Sequence, residues 1–221
     1  TAALREDVRA GVLHAANDRG TRGGLSLYVP EPWDGRTPMP LVVALHGGHG
    51  HGRDFLWSWL REARSRGVLV LAPTSRDRTW SIMGTGDVDA DTLRQGVEAV
   101  SERYAIDRAR ILLTGMSDGA TYALMSGFRE GMPFTHVAPA CGVLHPLLVA
   151  SGEIGRARGR PVYLVHGALD WMFPVMTARM ARDALRAAGA AVVYREIEDL
   201  SHTYPRDENP RILDWLTGAS P

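Results

Sequence analysis

Apolar residues in this chain gather in short unbroken runs, separated by longer stretches in which they recur every third or fourth position. The runs Leu25–Val29, Leu41–Leu45, Val68–Ala72, Ile111–Thr114, Val137–Ala140, Val162–His166 and Val192–Ile197 have the length of strands and lack polar alternation. That is the pattern of strands covered on both faces. Between them, Phe55–Arg66, Thr92–Tyr104, Asp118–Gly127, Pro174–Ala188 and Glu208–Leu216 read as helices, the second with Leu93, Val97, Val100 and Tyr104 on one face. Strands alternating with helices of this length predict βαβ crossovers and a mostly parallel sheet sandwiched by helices. Ligands of such a sheet bind beyond the carboxyl ends of its strands, so chemistry is to be sought in the residues just after each apolar run.

Composition narrows the picture. A chain of 221 residues suits one core, and a single domain is expected over residues 1–221. Hydrophobic residues make up 45% and charged residues 23%, as in soluble globular proteins. The 25 cationic and 25 acidic residues cancel, which argues against a nucleic-acid partner, since those binders carry a basic excess. Every one of those cations is arginine. We read this as a coding bias, so Arg156, Arg158 and Arg160 mark a solvated loop and not an anion site. The lone cysteine, Cys141, excludes an internal disulfide and reads as a small buried residue, not as a nucleophile. No run approaches the ~18 apolar residues of a membrane span. The chain begins at Thr1 without a visible leader, consistent with a mature secreted form or a domain excised from a longer protein. Monomer and homodimer are both compatible with the sequence.

The chemistry is concentrated at Gly115-Met116-Ser117-Asp118-Gly119, entered from the strand Ile111–Thr114 and followed by a helix. A Gly-x-Ser-x-Gly turn bends strand into helix so sharply that only glycine fits two positions either side of a strained serine, which projects above the sheet. Ser117 is thus the candidate nucleophile. It needs a base, and the required chain order is acid, then histidine. Asp170 follows the strand Val162–His166, and His202 lies in the loop after Val192–Ile197. His202 would take the serine proton, and Asp170 would orient the imidazole. Asp199 is the rival acid, but it lies only three residues from His202 and follows no strand directly. His145 is the rival base, and it precedes Asp170. Charge developing on a substrate oxygen calls for backbone donors. We assign these to the amide of Asp118 and to the glycine loop His46-Gly47-Gly48-His49-Gly50, choosing Gly48 with His49 as the alternative.

Together Leu45-His46-Gly47-Gly48, Gly115-Met116-Ser117-Asp118-Gly119, the Gly167–Pro174 segment and the His202 loop resemble α/β-hydrolase serine esterases. The likeness is to the phospholipase/carboxylesterase group and its polyhydroxybutyrate-depolymerase-like and feruloyl-esterase-like neighbours, over about residues 25–216. The resemblance implies an α/β-hydrolase fold without a large lid, a carboxylic-ester hydrolase working through an acyl-enzyme on short-chain or small aryl esters, and no cofactor. A serine peptidase or amidase, or a non-catalytic binding module, could use the same fold. A metal is not expected. After His49-x-His51 the position where a zinc pattern would need aspartate is Arg53. Asp87, Asp89, Asp91 and Glu98 match EF-hand positions, yet Thr92 replaces the turn glycine, so this run reads as a helix cap. Trp80 and Trp171, with His49, are assigned to a substrate pocket, whereas Trp57 and Trp59 read as packing residues.

Overall fold

The computed structural model describes residues 9–83 and 86–218. Its strands are β1 (Gly11–Ala15), β2 (Leu25–Val29), β3 (Met39–Leu45), β4 (Leu69–Pro73), β5 (Ile106–Met116), β6 (His136–Ala140), β7 (Pro161–Gly167) and β8 (Ala191–Ile197). Its helices are α1 (Gly52–Phe55), α2 (Leu60–Arg66), α3 (Asp89–Arg103), α4 (Asp118–Ser126), α5 (Pro146–Ala150), α6 (Val175–Ala187) and α7 (Asn209–Thr217). The strands form one sheet in the order β1-β2-β4-β3-β5-β6-β7-β8. From β4 to β8 every pairing is parallel, and β2 joins β1 and β4 antiparallel.

Successive strand residues feed opposite faces of the sheet, as the period of two requires. Leu41, Val43 and Leu45 pack with Leu93, Val97 and Val100 of α3, Tyr122 and Leu124 of α4, and Ala181 and Leu185 of α6. Val42 and Ala44 pack on the other side with Trp59, Ala63 and Ile212, Leu213 and Leu216 of α7. This double cover is why the run Leu41–Leu45 in β3 shows no polar alternation.

Several elements differ from the sequence expectation. The helix expected over Phe55–Arg66 is broken into α1, a 3-10 turn at Leu56–Ser58, and α2. Trp59, at φ −107° between the last two, turns its indole wholly into the core. The chain also begins its turn earlier than expected, because a Cβ at Gly52 would stand 2.3 Å from the Ala72 carbonyl oxygen and only glycine permits that approach. β5 starts five residues ahead of its apolar run, because Ile106 pairs with Met39 across a register shift. β1 was not expected at all; it is a half-exposed edge strand whose sequence carries no strong period.

Between β6 and β7 the chain forms only α5 and a 3-10 turn at Glu153–Ala157, so no lid domain is inserted there. Among the described residues, no helix is long and apolar enough to cross a membrane.

Candidate active site

β5 delivers Ser117 at φ 56° and ψ −119°, a conformation that L-residues adopt only when their surroundings force it. Two glycines do the forcing. A Cβ at Gly115 would lie 2.6 Å from the Gly119 carbonyl, and one at Gly119 would lie 2.5 Å from the carbonyl oxygens of Leu45 and His46. The Ser117 amide donates to the Ala140 carbonyl at 3.0 Å, fastening the turn to β6. The serine remains 7% exposed.

Ser117, Asp170 and His202 converge from β5, β7 and β8. His202 Nδ1 lies 2.8 Å from Asp170 Oδ2, and His202 Nε2 lies 3.1 Å from Ser117 Oγ. A carboxylate only accepts, so the imidazole proton sits on Nδ1 and Nε2 turns a lone pair toward the hydroxyl. Asp170 Oδ1 accepts from the amides of Met172 and Phe173 at 2.9 and 2.8 Å. Burial opposes the Asp170 charge, but the Phe173 amide, His202 and the Met172 amide together outweigh it and hold the carboxyl below its ordinary value. The rivals have other positions. Asp199 is exposed, and His145 caps α5, its Nδ1 accepting from the Leu147 amide at 3.2 Å.

A residue that sequence reasoning passed over sets the distance between acid and base. A Cβ at Gly167 would stand 2.2 Å from the Leu200 carbonyl oxygen. Its absence lets the His202 loop lie on the Asp170 turn, where the amides of Ala168 and Leu169 donate to the carbonyls of Ile197 and Leu200 at 2.8 and 3.0 Å. His166 was also missed as a contributor. Wholly buried, it donates from Nε2 to the Phe173 carbonyl at 2.8 Å and so braces the same turn. Its strand position made it look like ordinary core.

The two assigned backbone donors sit beside the serine. Among the described residues, no acceptor is found for the amides of Gly48, in the glycine loop, and Asp118, in the first turn of α4 where an amide needs none. The His49 amide is already engaged, donating to the Arg78 carbonyl at 2.7 Å, which removes it as the alternative donor. Asp118 Oδ2 accepts from Thr79 Oγ1 at 2.6 Å, and a Cβ at Gly48 would come within 2.6 Å of that oxygen.

The pocket aromatics divide. Trp171 is 72% exposed and presents its ring to His202 at 6.1 Å; Phe173 does so at 5.3 Å. Trp80 corrects the sequence expectation. It is 2% exposed and stacks on Tyr122, its Nε1 donating to the His46 carbonyl at 2.7 Å. The chain folds back beneath the glycine loop, so this indole props the loop from inside and offers a substrate no surface. Trp59 is core as expected, while Trp57 is 54% exposed.

The metal-like patterns have structural employment. His46 is buried beneath its loop and His51 caps α1 by accepting from the Arg53 amide. His49, at φ 59°, is exposed. Asp87 caps the start of α3 through the amides of Asp89 and Ala90 and pairs with Arg129. Asp89 accepts from the amides of Arg76 and Ser81. Cys141, His166 and Asp170 place one ligand atom each within 4.8 Å of one another. The donors there are poorly suited to an ion. Burial pushes the Cys141 thiol up to about 11, and His166 Nε2 and both Asp170 oxygens are already in hydrogen bonds.

Known proteins resemble this chain in sequence and fold. The family model described as phospholipase/carboxylesterase matches residues 85–218. A curated relative, the bifunctional acetylxylan esterase/xylanase XynS20E of Neocallimastix patriciarum, is 24% identical over 199 residues. That match takes in 88% of this chain but 28% of the relative, so the chain spans less than a third of that protein's length. A solved thermostable esterase superposes with a TM-score of 0.72 at 21% identity, over 94% of this chain and 62% of that one. Esterase PE8 superposes with a TM-score of 0.70 at 23% identity, over 90% and 99%.

Proposed function

The chain belongs to the phospholipase/carboxylesterase family, and from that premise we propose that it hydrolyses small carboxylic esters through an acyl-enzyme on Ser117, as one catalytic domain. The observation that carries the reading is the unbroken hydrogen-bonded line from Ser117 through His202 to Asp170. His202 Nε2 takes the Ser117 proton as Oγ attacks the ester carbonyl. The tetrahedral oxyanion is met by the amides of Gly48 and Asp118. The imidazolium, stabilised by Asp170, returns its proton to the departing alcohol and leaves the acyl group on Ser117. Water then repeats the attack with His202 as base, releasing the acid and restoring the serine.

Substrate size follows from the surroundings. Only α5 and a short turn separate β6 from β7, which favours short acyl groups on an open site over long lipid chains. The acetyl group removed by the curated relative is of this class, and an acetyl ester on a sugar hydroxyl is the first substrate to try. The test begins with a fluorophosphonate. Covalent labelling of wild type, absent in Ser117→Ala, is expected; a folded wild type that takes no label ends the proposal. An ester panel from acetyl to roughly sixteen carbons, plus one cinnamoyl ester, then reads pocket depth, because each methylene in a fitted pocket is worth about 1 kcal/mol. Turnover should peak at the short end.

A further inference from the structure

The glycine loop contains a buried histidine that the mechanism above does not use. His46 is 1% exposed, and its contacts settle its protonation. The Ser75 amide donates to Nε2 at 3.1 Å, so Nε2 carries a lone pair. A neutral ring then keeps its proton on Nδ1, which lies 2.6 Å from the Gly47 carbonyl oxygen. Burial keeps the ring neutral, depressing its pKa to about 4. The same carbonyl accepts from the Gly50 amide at 2.9 Å, and the Trp80 indole holds the His46 carbonyl on the inner side.

The Gly47–Gly48 peptide is trans and planar, so its N–H points opposite to its C=O. Whatever holds the Gly47 carbonyl inward therefore turns the Gly48 N–H outward. Gly47 also borders the serine, since a Cβ there would lie 3.5 Å from Ser117 Cβ. We propose that His46 is a positioning residue for the hydrolysis: its Nδ1–H pins the Gly47 carbonyl, fixes the plane of the Gly47–Gly48 peptide, and thereby aims the Gly48 N–H at the oxyanion. This deepens the esterase reading and rests on it.

Two conservative variants separate the ring's two bonds. Asparagine can place an amide nitrogen near the position of Nδ1, and glutamine an amide oxygen near that of Nε2. His46→Asn should keep kcat within about tenfold of wild type, and His46→Gln should lose about 100-fold, as for a misplaced oxyanion donor. KM should stay within about threefold in both, because the lost contact belongs to the transition state. An arylboronic acid forming a tetrahedral adduct on Ser117 should bind His46→Gln more weakly, by the factor lost in kcat/KM, while the product carboxylate binds as before. Equal losses in the two variants, a better glutamine than asparagine, or unchanged boronate affinity overturns the proposal. Nitrogen NMR of wild type tests it without any variant: His46 should show a protonated Nδ1 near neutral pH, and a protonated Nε2 overturns it. Fluorophosphonate labelling of wild type keeps the two proposals apart. Failure there removes the esterase premise, whereas normal labelling with the wrong variant pattern removes only the role of His46.

Discussion

The floor of the site and its rim differ sharply in exposure although they are neighbours in the chain. On the floor, Ser117, Asp170 and His46 are 7%, 6% and 1% exposed, and their side-chain polar atoms are engaged by main chain or by His202. At the rim, Leu169 and Trp171 are 62% and 72% exposed. The two regions interleave within one turn, where Asp170 points inward between neighbours that face solvent. That turn therefore does two jobs. Its backbone amides hold the Asp170 carboxylate, while the side chains of Leu169 and Trp171 face solvent.

The floor is where a small change should cost most. Asp170→Asn can keep its oxygen on the amides of Met172 and Phe173 but turns an NH2 toward His202, which favours the tautomer that cannot accept the serine proton. We expect kcat to fall by about 10⁴-fold with an unchanged circular dichroism spectrum. Retention of a tenth or more of wild-type turnover would break the distinction, because the acid would then be no more critical than the rim.

Next in size is the pH dependence of stability set by His46. Its pKa is about 4 in the folded state against 6.5 for the free group, so the unfolded chain binds the extra proton across that window. The contribution is complete above the unfolded value and is lost as pH falls through the folded one, amounting to about 3 kcal/mol. Denaturant unfolding of wild type between these limits, minus the same curve for His46→Asn, isolates this residue from the other histidines. A flat difference curve counts against a neutral buried ring.

The smallest effect belongs to the rim. Trp171→Ala should leave stability within about 0.5 kcal/mol, as for an exposed position. It should raise KM for aryl esters a few-fold, since an edge-on aromatic contact is worth roughly 0.5–1.5 kcal/mol. Steady-state kinetics on methyl acetate should not change. A large fall in kcat on that ester would show that rim and floor act as one unit.

Which features were legible in the sequence follows from the range of the forces involved. Strands buried on both faces announce themselves as unbroken apolar runs, and Gly115, Ser117 and Gly119 follow a local steric rule, so the sheet and the nucleophile turn could be read directly. The order of Asp170 and His202 along the chain could also be read, although their distance could not. That distance depends on Gly167 at the end of β7 meeting Leu200 in the loop after β8, a contact between distant parts of the chain that no window of sequence contains. Trp80 was misplaced for the same reason: an indole after a strand end looks like a pocket wall until the chain is seen to fold back onto Tyr122. The break near Trp59 shows tertiary burial of one large side chain overriding a helical pattern.

Ser117 and His202 also hang from parts of the sheet with unequal support. β5 is flanked by β3 and β6, whereas β8 is the last strand and, among the described residues, pairs only with β7. Edge elements open locally at a lower free-energy cost than central ones. On warming, the base should therefore drift out of reach while the nucleophile is still firmly seated, and recover on cooling. Activity then becomes a more sensitive thermometer for this molecule than its spectrum: the clock stops when one margin frays, well before the core gives way.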